Sequence, residues 1–509
     1  MRQYETFELT FCGAELTDHW AQANVTAEFT HNGETVVVPG FYAGGGVYKV
    51  RFLPMSAGKY IWRVTGDVSG EGQEVCESAI THGPVKACGR GFVYADGKTF
   101  HPFGTTVYAL IHQPGEFIER TMETLSAAPF NKVRMCVFPK DYDFNRNEPD
   151  WYAFEKAADG SWDTNHPCFA FWDALEGYIS RLDSMGIQVD LILFHPYDRW
   201  GFDGMGHNRD LVYLDYLLRR LAAFPNIWWS LANEYELTRR TKNEWYDIER
   251  FVAKHDPYCH PLSCHNIFNI WDANRPLTTH ASIQSKDLSQ LNSWLKKYSG
   301  KPIVVDECAY EGDIEPFWGS ITGAEMSRRF WRCVSMGAYC THGETFYSDD
   351  EVLWWAKGGV LRGVSPERIA FCRKIIESLP GQLEGEPSFL QRLMPVMEMD
   401  EEQQSETMSR MPDQLRRLVI AFIESADAES YANSEIGWYG HIGTDVYLRF
   451  HDTRPITRDT VELPEDKRYT VRVLDTWNMT DETVASGVSG KYTVKLPGRE
   501  NMAVLITAE

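Results

Sequence analysis

Two glutamates that each close a short apolar run carry the clearest chemical signal in the sequence. Glu234 ends the run NIWWSLANE at 226–234, and Glu307 ends the run KPIVVDE at 301–307. Runs rich in β-branched and aromatic residues that open at an asparagine or proline turn are typical of buried parallel strands. A carboxylic acid that protonates a leaving oxygen, beside a carboxylate that attacks the anomeric carbon or activates water, can hydrolyse a glycosidic bond. The sequence therefore predicts an active site of two strand-end carboxylates.

Alternating strand and helix patterns between about residues 89 and 380 indicate how these glutamates are positioned. The apolar runs that predict strands are 100–108, 132–138, 188–195, 227–232, 261–265, 277–281, 302–306 and 337–341. Helical patterns fall between most of them, for example at 169–185, 209–224, 244–255 and 285–298. This number of strands over this length predicts a (β/α)8 barrel, whose active site lies at the C-terminal ends of the strands. A doubly wound open sheet is the alternative, but no glycine-rich phosphate turn follows the first strand.

The regions on either side of the barrel show the period-two alternation of antiparallel strands. Short alternating runs broken by Gly and Pro at 7–85 predict an N-terminal Ig-like β-sandwich. After 380 a linker follows, and the acidic stretch 398–410 is expected to be an exposed loop. Alternation returns at 417–422, 446–450, 469–473 and 492–496, which predicts a C-terminal antiparallel β-sandwich. The predicted fold is α/β with three domains, at 1–88, 89–382 and 383–509.

Composition limits the classes of partner. The 509 residues include 50 basic and 72 acidic ones, a net charge of -22, which argues against nucleic acid or an anionic membrane and favours a neutral or cationic substrate. No uncharged run approaches the ~20 residues of a membrane span, and the N-terminus lacks the apolar core of a signal peptide. The eleven cysteines are scattered, without a disulfide framework or a zinc pattern. A cytoplasmic protein is expected, and its oligomeric state, including a homo-oligomer, is left open.

The barrel resembles a known group of enzymes. With Leu231-Ala232-Asn233-Glu234 closing the fourth strand and Val304-Val305-Asp306-Glu307 closing the seventh, it is similar to the clan A glycoside hydrolases, the cellulase and β-galactosidase superfamily. The order of small β domain, barrel and second β domain further resembles bacterial glycosidases with an apiosidase-like barrel. The resemblance implies that Glu234 is the acid/base and Glu307 the nucleophile of a retaining double displacement that needs no cofactor or metal.

Other side chains at predicted strand ends are expected to bind the substrate. Arg134 near the end of the second strand is a cationic partner for Glu307, as the resemblance also implies. Glu344, a third candidate carboxylate that could bind a sugar hydroxyl or be the catalytic acid, occupies the eighth strand where the family commonly has Trp, so Trp354 and Trp355 in the next loop, or Trp200, could offer the stacking platform instead. Period two turns Asp306 away from Glu307, but a register shift of one residue would make Asp306 the nucleophile. The expected substrate-binding residues are Arg134, His195, Asn233, His265, His280, Tyr310, Glu344 and Trp354.

These observations predict a glycoside hydrolase that cleaves O-glycosidic bonds of a plant or microbial oligo- or polysaccharide. The insertion 141–171, with Tyr142, Trp151, Tyr152 and Trp162, is expected to wall one side of the site and so favours exo action. A noncatalytic carbohydrate-binding barrel is one alternative. A metal-dependent amidohydrolase-type barrel is the other, but that chemistry needs a His-x-His pair at the end of the first strand, and 100–108 has none.

Overall fold

The computed structural model of the protein describes residues 1–347, 353–434 and 437–509. The chain forms two compact units, neither of them continuous in sequence. The first comprises Met1–Ser285, Gly300–Thr322 and Cys340–Gly363, and the second comprises Lys286–Ser299, Gly323–Tyr339 and Val364–Glu509. The domain boundaries expected at 88 and 382 stay predictions.

The N-terminal part of the first unit is built of antiparallel strands. They are β1 (Phe7–Cys12), β2 (Val25–His31), β3 (Glu34–Pro39), β4 (Phe41–Tyr42), β5 (Val47–Phe52), β6 (Gly58–Gly66), β7 (Gly70–Cys76), β8 (Val85–Cys88), β9 (Gly91–Tyr94) and β10 (Thr99–Phe100). The sheet β3-β2-β6-β7 faces the sheet β1-β5-β4, and the rings of Phe29 and Phe52 stack between them with centroids 4.1 Å apart. The predicted N-terminal β-sandwich is confirmed.

The barrel strands follow. The strands of this region are β11 (Gly104–Thr106), β12 (Lys132–Cys136), β13 (Phe154–Lys156), β14 (Trp162–Pro167), β15 (Gln188–Phe194), β16 (Ile227–Ala232), β17 (Leu262–Ser263), β18 (Ala281–Gln284), β19 (Ile303–Glu307), β20 (Glu311–Gly312), β21 (Tyr339–His342) and β22 (Glu344–Thr345). Eight of them form one sheet in the order β17-β16-β15-β12-β11-β21-β19-β18. A parallel bridge between His265 and Ser282 joins the two edge strands. Each strand therefore lies beside its neighbour in sequence, and the predicted (β/α)8 barrel is confirmed.

Helices follow most of these strands. They are α1 (Gly115–Ala127), α2 (Phe169–Ser184), α3 (His207–Leu221), α4 (Lys242–His255), α5 (Leu291–Lys297), α6 (Gly323–Ser335), α7 (Trp354–Lys357) and α8 (Ser365–Glu377). In α4 a capping box of Thr241 and Glu244 starts the helix. Its buried side chains Trp245, Ile248 and Val252 are spaced at helical period, which is why this stretch packs as an amphipathic helix.

The second unit contains α5, α6 and α8 together with the C-terminal elements. Those elements are β23 (Glu384–Gly385), α9 (Phe389–Met397), α10 (Glu401–Ser409), α11 (Asp413–Ile423), α12 (Ala428–Ser434), β24 (Trp438–Ile442), β25 (Val446–Phe450), β26 (Arg458–Leu463), β27 (Tyr469–Asp475), β28 (Thr480–Val488), β29 (Gly490–Lys495) and β30 (Met502–Ala508). The antiparallel sheet β23-β24-β25-β30-β27-β28 and the pair β26-β29 confirm the predicted C-terminal β-sandwich.

Two local predictions in this region are wrong. The stretch 398–410, expected to be a loop, contains α10, whose start is fixed by a capping box of Asp400 and Gln403. The stretch 417–422, expected to be a strand, lies in α11, where Val419 and Phe422 are buried and Leu418 is exposed. Burial three residues apart follows the helical period, so the run RLVIAF fits a strand only when it is considered without its neighbours.

No described helix is both long enough and apolar enough to cross a lipid bilayer. The eleven cysteines all lie among the described residues, and each is a free thiol.

A buried charge cluster joins the N-terminal sandwich to the barrel helices within the first unit. Glu176 of α2 receives hydrogen bonds from Arg51 of β5 (Nη2 to Oε2, 2.8 Å) and from Arg220 of α3 (Nη2 to Oε2, 2.9 Å). All three side chains are buried. Burial alone would raise the pKa of Glu176, but the guanidinium groups of Arg220 and Arg51 lower it. Glu176 is the buried counter-ion that the two guanidinium groups share, while Arg51 also pairs with Glu8 (2.9 Å) and Arg220 with the exposed Asp173 (2.6 Å).

Replacing Glu176 with Leu should destabilise the protein by about 3–5 kcal/mol, because it removes the buried counter-ion shared by two buried guanidinium groups and leaves each with only its more exposed partner, Glu8 or Asp173. Urea unfolding of wild type and variant measures the loss. The control is Glu119→Leu, which removes an exposed partner of Arg181 and should cost less than about 1 kcal/mol. Equal losses in the two variants would contradict a special role for the buried cluster.

Candidate active site

Glu234 and Glu307 lie at the C-terminal ends of β16 and β19. Glu234 has a left-handed backbone conformation, with φ 50° and ψ 57°. A non-glycine residue in this region is strained, and such strain is found preferentially at functional sites. Backbone hydrogen bonds on either side hold it there, from Asn233 N to Phe194 O (2.9 Å) and from Tyr235 N to His265 O (3.0 Å).

Glu234 lies in an environment that favours its protonated form. The Tyr197 hydroxyl donates to Oε2, and Gln284, with its amide oriented to satisfy both neighbours, donates to Oε1 (3.1 Å) and to Asn266 O (2.9 Å). Burial, and then the charge of Glu307, raise the pKa of Glu234 to about 6, although Lys140, Tyr197 and Gln284 oppose the shift. A carboxyl group of this kind can still hold a proton near neutral pH.

Glu307 is surrounded by donors and cations. The Tyr108 hydroxyl donates to its Oε1 and also lies 3.0 Å from Asn233 Oδ1. Arg134 Nη1 and His265 Nε2 each lie 4.0 Å from Oε1. Glu307 thus has one hydroxyl donor in contact and a guanidinium and an imidazole close by. Tyr108 thereby links the tips of the first, fourth and seventh strands.

A buried ionic floor lies beneath the two glutamates. Lys132 Nζ donates to Asp190 Oδ2 (2.7 Å) and Asp306 Oδ1 (2.8 Å). Arg134 Nε lies 3.5 Å from Asp190 and 3.9 Å from Asp306. Burial alone would raise the pKa of Asp306, but Lys132 and Arg134 hold it well below its usual range. These four side chains form a neutral set of two cations and two anions.

Asp306 is the extra residue of a β-bulge in β19. The pairing with β18 moves from Ile283 opposite Val305 to Gln284 opposite Glu307, so strict alternation stops at this point. Asp306 also accepts hydrogen bonds from Ser282 Oγ (2.6 Å) and Thr341 Oγ1 (2.8 Å), and it is fully buried. The Asp306 carboxylate therefore lies bonded in the barrel interior, away from the position expected of the alternative nucleophile.

Acidic side chains order the loops that carry the site. Asp198 accepts hydrogen bonds from the backbone N–H groups of Trp200, Gly201 and Asp203, in the loop that presents Tyr197. Glu236 accepts from the N–H groups of Ile267, Phe268 and Asn269 and ties the loop after β16 to the loop after β17. The sequence alone does not predict these hydrogen bonds of Glu236.

The structure brings several predicted residues together around the two glutamates. Arg134 and His265 lie beside Glu307, and Asn233 Oδ1 lies 3.0 Å from the Tyr108 hydroxyl. Tyr310 packs against Trp355, with ring centroids 5.8 Å apart. His195 is buried, and its Nε2 lies 3.1 Å from the Phe138 carbonyl; among the described residues no hydrogen bond or ion pair joins it to either glutamate.

His280 does not lie in the mouth of the barrel. It was expected to end the sixth strand at 277–281, but β18 begins at Ala281 and places His280 before the strand. Its ring packs against Phe92 and Trp228, with centroids 5.5 and 5.4 Å away. The prediction failed because Thr279, expected in the strand, instead bonds the backbone of Leu262 (N to Oγ1, 2.8 Å).

Glu344 and Trp354 were also expected to bind the substrate, but their side chains form hydrogen bonds with groups other than the two glutamates. Glu344 is buried, and its carboxylate accepts from the N–H groups of Arg362 (2.5 Å) and Gly363 (2.8 Å). Burial raises the pKa of Glu344 to about 7. Trp354 donates to Thr105 Oγ1 (2.9 Å), whereas the next residue, Trp355, packs against Tyr108 with centroids 5.8 Å apart.

Donor atoms of Glu311, His342 and Glu344 lie within 4.8 Å of one another, a spacing open to a metal ion. Two backbone N–H groups already donate hydrogen bonds to the Glu344 carboxylate. Glu344 therefore fits the role of an anchor for the segment 362–363 better than that of a metal ligand.

Sequence reasoning missed Tyr108, Tyr197, Gln284 and Lys140 as site residues. Tyr108 and Lys140 follow their strands by two and four residues, Tyr197 follows by three, and Gln284 ends a strand whose position was predicted too early. Tyr197 follows His195 by two residues in the sequence. Only the folded loop shows its hydrogen bond to Glu234.

Replacing Glu307 with Gln should lower the pKa of Glu234 from about 6, because the variant removes a negative charge that disfavours ionisation of Glu234. NMR titration of protein carrying 13C at the glutamate carboxyl carbons measures this, with the resonance assigned by its loss in Glu234→Gln. Glu344, whose pKa is about 7 through burial, is the internal control and should not move. An unchanged Glu234 midpoint would contradict the coupling.

Comparisons with known proteins agree with this fold. The family described as "Apiosidase-like, catalytic domain" matches residues 86–367, and two families described as domains of unknown function, DUF5060 and DUF5605, match residues 1–67 and 437–507. No curated protein sequence matches the chain significantly.

Solved structures extend the likeness to the whole chain. A proposed glycoside hydrolase from Bacteroides vulgatus is 30% identical, with a TM-score of 0.84 over 100% of this chain and 99% of that one. A glycoside hydrolase family 5 structure from the same organism shares the fold, at 15% identity and a TM-score of 0.60 over 84% of this chain and 93% of that one. Since the apiosidase-like match spans more than half of the chain, the protein belongs to the apiosidase-like catalytic-domain family.

Proposed function

We propose that the protein is a retaining glycoside hydrolase in which Glu234 is the acid/base and Glu307 the nucleophile. The observation that carries the proposal is the opposite environment of the two glutamates. Glu234 is buried with a pKa raised to about 6, whereas Glu307 accepts a hydrogen bond from Tyr108 and faces Arg134. A retaining glycosidase needs one carboxyl group that carries a proton and one ionised carboxylate, and the raised pKa of Glu234 supports its assignment as the group that carries the proton.

A sugar fits the remaining polar groups of the site. The three guanidinium nitrogens of Arg134, the amide nitrogen of Asn233 and both ring nitrogens of His265 are buried, and they have no hydrogen-bond partner among the described residues. Buried polar groups are rarely left without a partner. A ligand rich in hydroxyl groups would supply partners for all three side chains. The family 5 fold of the second Bacteroides vulgatus structure is consistent with this assignment.

The proposed reaction proceeds in two displacements. Glu307 attacks the anomeric carbon while Glu234 transfers its proton to the glycosidic oxygen, so that the C–O bond breaks and the leaving sugar departs as an alcohol. Glu234, now ionised, then takes a proton from water, which attacks the anomeric carbon and releases Glu307. The anomeric configuration is retained because it is inverted twice.

The proposed substrate is a plant or microbial oligo- or polysaccharide, cleaved from a chain end. Glu234 is 5% exposed and the side chain of Glu307 12% exposed, as expected for a closed pocket rather than an open cleft. Tyr142, from the insertion predicted to wall the site, packs against Trp355 and Tyr197 (centroids 5.1 and 6.1 Å apart). Trp151, from the same insertion, lines a separate surface cavity with Ile118, Phe171 and Tyr178. Release of single sugars from a polymer would support exo action, and internal cleavage would contradict it.

Hydrolysis of a panel of aryl glycosides, pyranosides and furanosides in both anomers, tests the function. Glu234→Ala and Glu307→Ala should each lower kcat/KM by on the order of 10²–10⁴-fold or more, because each removes a group that acts in the transition state. Azide should rescue Glu234→Ala as a glycosyl azide of retained configuration and Glu307→Ala as one of inverted configuration. Wild-type activity should fall as pH rises through about 6, where Glu234 loses its proton.

The matched control is Glu315→Ala, an exposed glutamate in the loop after β19, which should retain wild-type activity. Near-full activity of Glu307→Ala would exclude it as the nucleophile. Hydrolysis of no glycoside in the panel would count against glycosidase activity and favour a carbohydrate-binding barrel.

A further inference from the structure

Lys140 is a buried cation at the centre of the active site. It follows β12 and is 2% exposed. Its Nζ lies 3.5 Å from the ring centroid of Tyr108, 4.3 Å from that of Tyr197 and 4.9 Å from that of Tyr142. Trp355 completes the set at 5.6 Å. Four aromatic rings therefore form a cage around the ammonium group, which is called the Lys140 cage below.

The cage stabilises the ammonium without neutralising it. Ring faces attract a cation through their quadrupole and carry no net charge. In the part of the chain that the structure describes, no ion pair links Lys140 to a carboxylate. Burial accordingly lowers the pKa of Lys140, while the carboxylates of Glu234 and Glu307 act to raise it. The two glutamates therefore favour the charged form of Lys140 and oppose the effect of burial.

The two nearest rings connect the ammonium to the two glutamates. The Tyr108 hydroxyl donates to Glu307 and the Tyr197 hydroxyl donates to Glu234. Lys140 lies over the faces of both rings. A single cation is thus placed between the side chains that orient the acid/base and the nucleophile.

The neighbouring groups leave Lys140 as the one unbalanced cation described in this part of the site. Burial raises the pKa of the Cys136 thiol to about 12 and lowers that of His195 to about 3, and burial also holds the pKa of His265 well below its usual range, so all three are neutral. Arg134 belongs to the ionic floor, in which Lys132 and Arg134 balance Asp190 and Asp306. What remains is Lys140 with Glu234 and Glu307.

We propose that Lys140 is a positioning residue whose ammonium group makes the active site electrically neutral when one of the two catalytic glutamates, and only one, is ionised. This inference rests on the proposed function, because that singly ionised state is the working state of a retaining glycosidase. With both glutamates ionised the site carries a net negative charge, and with neither ionised it carries a net positive charge. Both alternatives are costly where water is excluded. Lys140 thereby sets the pH range over which the pair is competent.

Removing this charge should move both ionisations of the pair to higher pH. Lys140→Met keeps an unbranched apolar side chain within the cage but removes the ammonium charge that lowers the pKa of Glu234, and loss of a neighbouring cation typically shifts a carboxyl pKa by about 1 unit or more. In the 13C titration the Glu234 midpoint should rise by that amount in Lys140→Met and in Lys140→Gln. Lys140→Arg should remain near wild type because it restores the charge. Both limbs of the pH profile of kcat/KM should shift upward together, as expected for a coupled pair.

The control is Lys156→Met. Lys156 Nζ also lies over an aromatic ring, 3.3 Å from the centroid of Trp162, but it is exposed and makes no contact with either glutamate among the described residues. It should alter neither the titration nor the pH profile. Unchanged Glu234 midpoints in both Lys140→Met and Lys140→Gln would overturn the proposal. Because the titration needs no substrate, a shift there without hydrolysis of any glycoside would support the role of Lys140 and count against the proposed function alone.

Discussion

The ammonium group of Lys132, bonded to both Asp190 and Asp306, is the interaction on which the active site depends. It joins β12 to β15 and β19 through the interior of the barrel, where none of the three side chains has appreciable contact with solvent. Three charges in such a place are tolerated only as a nearly balanced and fully bonded set. That set in turn provides the counter-charges that hold the Arg134 guanidinium within 4.0 Å of Glu307.

Above the ionic floor, charged side chains and aromatic side chains have different functions. The charges of Glu307 and Lys140 influence whether Glu234 keeps its proton. The aromatic rings limit how closely the charged groups approach one another. Tyr108 has both roles, since its hydroxyl bonds Glu307 and its ring face supports Lys140. Because Lys140 and Glu234 are buried, the electrostatic interactions between such groups are stronger than they would be in water. The left-handed backbone of Glu234 is a strained conformation that the surrounding hydrogen bonds maintain.

Sequence patterns predicted the parts of the site that lie within strands. The run 227–232 is apolar throughout and coincides with β16, so Glu234 could be placed at a strand end, and the same argument placed Glu307. His280 was misplaced because the run 277–281 also fits a strand, while in the structure Thr278 and Thr279 bond Glu249 and Leu262 outside β18. Which of Trp354 and Trp355 packs against Tyr108 depends on the conformation of the loop that carries both residues. Lys140 and Tyr197 lie in loops beyond the strand ends. In such loops no periodic sequence pattern predicts the direction in which a side chain points.

The two compact units are interleaved along the chain. The first unit is completed only by Cys340–Gly363, whereas the second already begins at Lys286. During synthesis, residues of both units therefore emerge before either is complete, and the strand that carries Glu307 emerges between two segments of the other unit. No single cut in the chain separates the units. A fragment ending at Gly363 would hold the whole of the first unit but would also include Lys286–Ser299 and Gly323–Tyr339 without the remainder of their own unit. Such a fragment would hold both glutamates together with α5 and α6, two helices of the second unit.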